Sequence, residues 1–178
     1  WWRLVTHPFV HVSFYNLLLD GVSFLLLYAQ LAETSFVKRM GYLAGINAAV
    51  VGAVTWSLPG VGVSGYCGLS GIAHGLMAVW CLERISGLHA HRTERFEHWI
   101  ALGLFAGLLV KSVYEVIAGH VFLEAAHFGD VGVPVVASHL GGVIGAVAVY
   151  GVMNGWQIIG DIMVKYKKAS NAFVEIIK

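Results

Sequence analysis

Apolar residues dominate five long stretches of the chain, and short polar or charged segments separate them. The stretches lie at about residues 12–33, 37–57, 69–87, 97–118 and 134–155. Each holds close to the twenty residues that an α-helix needs to cross the hydrocarbon core of a bilayer, which is about 30 Å thick. The pattern therefore predicts an all-α membrane protein, a polytopic helical bundle with five transmembrane helices in residues 1–155.

The segment after Gly155 mixes apolar with basic residues and carries too many charges to cross a membrane. Lys165, Lys167 and Lys168 all lie within it. Such a mixture is typical of an amphipathic helix on a bilayer surface. Residues 156–178 are therefore predicted to form an amphipathic cytoplasmic tail, separate from the transmembrane domain.

The positions of the basic residues predict the orientation of the chain. The connections at 58–68 and 119–133 contain no Lys or Arg. The other connections and the tail hold the basic clusters, which include Lys38, Arg39, Arg84, Arg92, Arg95 and Lys165. Because cytoplasmic loops carry an excess of Lys and Arg, the two connections without them should face outward. The first residue then also lies outside, and we expect a further N-terminal transmembrane helix to precede it in the natural protein.

Composition excludes some function classes. Of the 178 residues, 58% are hydrophobic and 12% are charged, and the net charge is +1, so the chain lacks the basic surface that nucleic-acid binding needs. No His, Cys, Asp or Glu spacing typical of a metal site occurs, and no cofactor is expected. A transporter or channel would place polar residues through the bilayer midplane, usually with an internal repeat, whereas the polar residues here crowd the outer half.

A serine and a histidine lie at the outer ends of two predicted helices. Ser70 lies in the sequence GLSG, and His139 lies in SHLGG. A serine hydroxyl is a poor nucleophile unless a base takes its proton, and a histidine at the same depth can supply that base. Small residues would let the two helices pack closely: Gly71, Gly75, Gly142 and Ala146. We predict a nucleophile and base at Ser70 and His139; the alternative for Ser70 is a structural hydroxyl bonded to its own helix.

His74 follows Ser70 by four residues and is a second candidate base. Neighbours at this spacing lie side by side on one helix and leave little room for a substrate carbonyl between them. We therefore favour His139 as the base. His74 is expected to support the site through a hydrogen bond to Asp20 or Glu115.

Polar residues also form a stripe on the first predicted helix. Ser13, Asn16, Asp20 and Ser23 share one face, which must turn into the bundle and away from lipid. Asn16 can donate from its amide to a developing oxyanion, whereas an ionised Asp20 would repel it. A structural polar seam is the alternative interpretation of this stripe.

Lys111 and Glu115 lie four residues apart in the fourth predicted helix. Opposite charges at this spacing can pair, which lowers the free energy needed to keep both in a membrane. The pair is predicted either to stabilise the fold or to take part in substrate binding.

The sequence resembles the rhomboid intramembrane serine proteases, and within that superfamily the rhombosortase branch. The resemblance covers about residues 1–155 and is carried by the sequences WWRLVTHPFVH, YCGLSGIAHGL, KSVYEVIAG and PVVASHLGG. It implies that Ser70 is the nucleophile and His139 its base, in a dyad without a carboxylate. His11, Asn16 and Asp20 match a family pattern of His, His and Asn whose last two residues hold the oxyanion.

The resemblance also implies a function. A rhombosortase-like enzyme would cleave exported proteins at a C-terminal tail that consists of a Gly-Gly motif, one transmembrane helix and a basic end. The site, with Gly68 and Gly71 expected to line its pocket, would face the periplasm from a bacterial inner membrane. Hydrolysis and acyl transfer to an amine are both open as the final step. A general rhomboid protease and a non-catalytic protein that binds membrane helices are the alternatives.

Overall fold

The computed structural model describes residues 2–58, 66–87, 95–122 and 129–177. Within these ranges the chain is helical, with a 3-10 turn at His7–Phe9 and no strand. The helices are α1 (Arg3–Thr6), α2 (Phe14–Ala29), α3 (Phe36–Ser57), α4 (Ser70–Ser86), α5 (Arg95–Ala118) and α6 (Ala137–Ile177). The five long helices confirm the predicted all-α fold.

The lengths of these helices differ from the predicted spans. α3, α5 and the first part of α6, Ala137–Gly155, are long and apolar enough to cross a membrane. α2 and α4 have 16 and 17 residues, which corresponds to about 24–26 Å at 1.5 Å per residue, less than a bilayer core of about 30 Å. A helix of this length that reaches one membrane surface ends short of the other.

The connection from α2 to α3 explains why α2 ends early, at Ala29 rather than near residue 33. The carboxylate of Glu83, on α4, accepts hydrogen bonds from the backbone N–H groups of Ala32 at 2.8 Å and Glu33 at 2.9 Å. The Arg39 side chain donates to the backbone oxygen of Glu33 at 2.6 Å. Glu83 is 1% exposed, so this buried carboxylate replaces the helical hydrogen bonds that the connection gives up.

The central helix is α4, which contacts α2, α3, α5 and α6. Its inward side chains form the core together with those of α3 and α6, and the fully buried members include Ile46, Val50, Leu76, Val79 and Val143. The outer faces carry large exposed apolar side chains, among them Leu25, Trp56, Val110, Ile117 and Val152. An apolar exterior around a packed interior is the arrangement that a bilayer requires.

Glycines bring α4 and α6 together, as the small residues predict. A Cβ atom placed on Gly71 would lie 2.8 Å from the backbone oxygen of Ser138, and one on Gly75 would lie 2.9 Å from that of Gly142. A Cβ atom on Gly142 would overlap the Gly71 carbonyl. The backbones of the two helices are thus in direct contact where α6 begins, which confirms the predicted close packing.

The N-terminal segment holds the residues that lead into α4. The buried His7 ring bonds to the Asn47 side-chain oxygen at 2.9 Å through Nε2, and the His7 carbonyl accepts the Gly68 N–H at 3.1 Å. Burial lowers the pKa of the His7 imidazole, which favours the neutral ring that donates one hydrogen bond. His7 therefore fixes the backbone immediately before Ser70.

The predicted tail is helical, but it continues α6 without a break to Ile177 instead of forming a separate helix. Glycines at 155 and 160 do not interrupt it, because glycine weakens a helix by only about 1 kcal/mol and lacks the steric clash of proline. The cytoplasmic position of this tail stays a prediction.

Candidate active site

Ser70 is the first residue of α4, and the residues before it explain its position. Gly68 has a φ of +103°, a value that side chains rarely allow, and it turns the chain into the helix. The N–H of Leu69 donates to the Asp20 carboxylate at 3.1 Å. The first N–H groups of a helix have no partner within it. The N–H groups of Ser70 and Gly71 therefore have no partner within α4.

His139 lies in the first turn of α6, beside the contact between α4 and α6. It is 6% exposed, and its Nδ1 donates to Oε2 of Glu115 at 2.7 Å. A carboxylate only accepts hydrogen bonds, so Nδ1 carries the ring proton and Nε2 is left as the acceptor. Ser70 and His139 line the same two cavities. The structure thus places the two predicted residues beside the same cavities, and their roles as nucleophile and base stay a prediction.

His74 has both of its ring nitrogens engaged. Its Nδ1 bonds to the backbone oxygen of Ser70 at 2.8 Å, and its Nε2 lies 2.8 Å from the ammonium nitrogen of Lys111. Because the ammonium only donates, Nε2 is the acceptor in this pair and Nδ1 is the donor. The predicted bond of His74 to Asp20 or Glu115 is wrong; the ring instead stacks on His139, with centroids 4.0 Å apart and planes inclined by 8°. His74 therefore supports the His139 ring.

Lys111 and Glu115 form the predicted ion pair, at 2.8 Å between Nζ and Oε1. The pair is part of a larger network, because Oε1 of Glu115 also accepts the Phe122 N–H at 2.8 Å and Oε2 binds His139. The rhomboid resemblance implies a site without a carboxylate, whereas Glu115 lies directly on His139. Its two oxygens point to different partners, so the i, i+4 spacing identified only the one on its own helix.

Asn16 and Asp20 lie on the buried face of α2, as the polar stripe predicts. Asn16 is 9% exposed and Asp20 is 7% exposed. The Asn16 amide is 3.4 Å from Oδ2 of Asp20, and that oxygen also lies 3.7 Å from Nε2 of His11. Through its bond to Leu69, Asp20 holds the start of the Ser70 helix. Its carboxylate thus has a structural function, and an oxyanion role for Asn16 stays a prediction.

Two cavities meet at Ser70 and His139. The larger, of about 560 Å³, lies between α2 and α5. It is lined by apolar or small residues that include Leu19, Leu27, Met77, Gly103, Leu104 and Gly107. The smaller, of about 310 Å³, extends toward the segment 131–135. Ser70 and His139 therefore border two spaces that a substrate could occupy.

The glycines next to Ser70 do not form a pocket. Gly68 and Gly71 were expected to line the site, but neither lines these two cavities. Gly71 packs against α6, and Gly68 forms the turn that leads into α4. The space next to each glycine is taken by other atoms, the Ser138 backbone beside Gly71 and the Asp20 carboxylate beside Gly68, so neither faces these cavities.

Tyr66 is a site residue that sequence reasoning missed. It lines the smaller cavity with Ser70, Asn16 and His139, and its buried hydroxyl lies near the side chains of Ser138 and Ser70. Burial raises the pKa of the Tyr66 phenol, so the hydroxyl stays protonated and able to donate. Its nearness to GLSG in the chain was the only signal.

Three site residues lie close enough together to hold a metal ion. The potential ligand atoms of His74, Glu115 and His139 lie within 4.8 Å of one another. No spacing in the sequence indicates this cluster, because the three residues come from three helices. The Lys111 ammonium bonds to both His74 and Glu115, so a positive charge lies next to two of these three residues.

These features define a class of protein: a multi-pass helical membrane protein with a serine and a histidine beside a cavity within the bundle. The chain belongs to the rhomboid family, since the Rhomboid domain matches residues 1–156, which include the whole bundle. Comparison with curated proteins and with solved structures gave no significant match. Membership of this family indicates that the chain is an intramembrane protease-like protein.

Proposed function

We propose that the protein is an intramembrane serine endopeptidase in which Ser70 is the nucleophile and His139 the general base. One observation carries the proposal: the bond from Nδ1 of His139 to Glu115 leaves Nε2 as a proton acceptor in a cavity shared with Ser70. Both nitrogens of His74 are engaged elsewhere, which argues against His74 as the base.

The reaction follows from these roles. The Ser70 oxygen bonds to the substrate carbonyl carbon while its proton passes to Nε2 of His139, and the carbonyl electrons move to the oxygen. Backbone N–H groups at the start of α4 and the Asn16 amide are the candidate donors to that oxyanion. When the C–N bond breaks, Nε2 returns the proton to the leaving amine and an acyl-enzyme remains. Water, or an amine, then releases the acyl group.

The substrate helix would enter between α2 and α5. The larger cavity opens between these helices, and Gly103 and Gly107, one turn apart on α5, face it. A Cβ atom on either glycine would meet no other atom within 4 Å. Small residues at this spacing allow a second helix to approach the backbone closely, so this face of α5 suits a transmembrane substrate.

Filling the groove should block substrates that carry a membrane helix. We expect Gly107→Leu to lower cleavage of a transmembrane substrate by about 10-fold or more, because the leucine side chain occupies the space of the incoming helix. Labelling of Ser70 by a small fluorophosphonate should change far less. Gly52→Leu is the matched control, since Gly52 is exposed on α3 with open space around it. Equal cleavage by both variants would refute entry at this face.

The proposed substrates are exported proteins with a C-terminal Gly-Gly motif, a transmembrane helix and a basic cytoplasmic end, cleaved at the periplasmic side of a bacterial inner membrane. An intact helix hides its carbonyls in internal hydrogen bonds, and each glycine weakens it by about 1 kcal/mol relative to alanine. Adjacent glycines therefore help to expose a carbonyl to Ser70. The basic end would hold them at the outer depth.

Substitution of the substrate glycines tests this specificity. Replacement of the substrate glycines by Ala, Leu or Val should reduce release of the mature protein in order of side-chain size. Each replacement either stabilises the substrate helix or crowds its approach to Ser70. Release is followed by gel shift, with an unrelated transmembrane substrate as the control. Undiminished cleavage of the Leu and Val substrates would contradict the sorting-tail specificity and leave a general rhomboid-like protease.

A further inference from the structure

Glu115 is a buried carboxylate in direct contact with His139, the proposed base. Its side chain is completely buried between α5 and α6. Three donors surround the carboxylate: Nδ1 of His139 at 2.7 Å, Nζ of Lys111 at 2.8 Å and the N–H of Phe122 at 2.8 Å. A buried carboxylate is costly in a membrane unless it is paired and hydrogen-bonded. The donors satisfy this requirement and also fix the direction of both oxygens.

The contacts of His139 constrain its ring in two ways. The bond to Glu115 fixes which nitrogen carries the proton, and the parallel His74 ring limits tilting. A ring rotated by half a turn would place a carbon atom against the carboxylate and lose the 2.7 Å bond. The opposite tautomer would set a lone pair against a carboxylate oxygen. Either change would remove the acceptor nitrogen from the side that serves Ser70.

Lys111 completes the arrangement by fixing Glu115. Its ammonium bonds to Oε1 of Glu115 and to Nε2 of His74, so it connects the carboxylate to the ring that stacks on His139. The remaining oxygen, Oε2, is directed at His139. When the imidazole takes a proton from Ser70, this anion lies at hydrogen-bond distance from the new positive charge.

We infer that Glu115 is a positioning residue that makes the site a Ser70–His139–Glu115 triad, with Lys111 holding the carboxylate. The inference rests on the proposed protease function. Glu115 stays ionised throughout: the proton that leaves Ser70 goes to Nε2 of His139 and then to the leaving amine, while Nδ1–H stays bonded to Oε2. In a purely structural role, the Lys111–Glu115 pair would stabilise the fold without affecting the reactivity of Ser70.

The test is the rate at which a fluorophosphonate labels Ser70 in the purified full-length protein as a function of pH. We expect Glu115→Gln to lower the rate by about 100- to 10,000-fold. The amide has one acceptor oxygen, and the Lys111 and Phe122 donors hold it at the position of Oε1. The NH2 group then faces Nδ1 of His139 and favours the tautomer in which Nε2 carries the proton. Glu115→Asp should recover part of the rate. The acidic limb of the pH–rate profile should move to lower pH in Glu115→Gln, since the imidazolium loses its neighbouring anion.

Other charges near His139 are unchanged in this variant. His139 also faces His74 on α4 and Asp20 on α2. Lys111 on α5 contacts His74 and Glu115. Glu83→Gln is the matched control, because it makes the same change in another buried glutamate, whose carboxylate binds backbone N–H groups far along α4. It should reduce thermal stability while the labelling rate and the pH profile of the folded protein stay as in the wild type.

The outcomes separate the two proposals. Wild-type protein whose Ser70 does not react overturns the protease function, and the triad with it. If the wild-type protein reacts, two results overturn the triad alone. One is a Glu115→Gln variant that reacts as fast as the wild type. The other is an equal loss of rate in Glu115→Gln and Glu83→Gln with no change in the pH profile. If Glu115→Gln fails to fold, the variant Lys111→Gln/Glu115→Gln removes both charges. A slow labelling rate and a shifted pH profile in this double variant support the triad, and labelling at the wild-type rate overturns the triad.

Discussion

Replacing either Ser70 or His139 by alanine is expected to abolish cleavage of a co-expressed tail substrate while leaving the protein folded in the membrane. The loss should be about 10,000-fold or more, because without the hydroxyl no acyl-enzyme forms, and without the imidazole the hydroxyl keeps its proton. The double variant should be barely slower than either single variant, since the two groups act as one unit. Cleavage is measured by gel shift of the substrate.

Two controls make the same chemical changes elsewhere. Ser112→Ala removes a buried hydroxyl from α5, and His98→Ala removes a partly exposed imidazole at the opposite end of that helix from Glu115. Neither residue lines the two cavities at Ser70, so both variants should cleave the substrate normally. Substantial activity in His139→Ala together with a loss in His74→Ala would assign the base to His74.

A side chain at Gly142 is expected to prevent stable folding. The Cβ atom of Gly142→Ala would overlap the carbonyl of Gly71 and lie 3.2 Å from the backbone nitrogen of Gly75. The obstacle is backbone, which cannot rotate aside, so α4 and α6 must separate. Overpacking of a core costs about 1–3 kcal/mol and occasionally more, and we expect a loss at or above the upper end of this range. The same shift would move His139 relative to Ser70.

The measurement is the temperature at which the detergent-solubilised protein aggregates, together with the amount found in the membrane. Gly151→Ala is the control on the same helix, because Gly151 is exposed and a Cβ atom there meets nothing within 4 Å. That change should be neutral or stabilise the helix by up to about 1 kcal/mol. A Gly142→Ala protein as stable as the Gly151→Ala protein would contradict the packing of α4 on α6.

The pattern of apolar stretches predicted the fold because length and hydrophobicity decide which segments become membrane helices. The positions of Ser70 and His139 near the starts of two predicted helices indicated that they could share a site, and both line the same two cavities. The small residues Gly71 and Gly142 predicted the close packing of those helices. Each of these signals comes from neighbouring residues in the sequence or from the depth of a residue in the membrane. They do not depend on how far each helix is rotated about its axis.

The contacts between helices depend on that rotation, and here the predictions were incomplete or wrong. The spacing of Lys111 and Glu115 shows that they can pair on one helix, but not that the second carboxylate oxygen reaches α6. In the same way, the sequence places His74 one turn from Ser70 without indicating that its ring stacks on His139. The close approach of His74, Glu115 and His139 required all three helices to be in place.

The reactivity of one hydroxyl is the central claim, and labelling tests it directly. The purified protein in detergent is treated with a fluorophosphonate probe, and the modified residue is identified by mass spectrometry. We predict one modified residue, Ser70, and no labelling in Ser70→Ala or His139→Ala. Absence of labelling in the folded wild-type protein, or labelling that persists in Ser70→Ala, would contradict it.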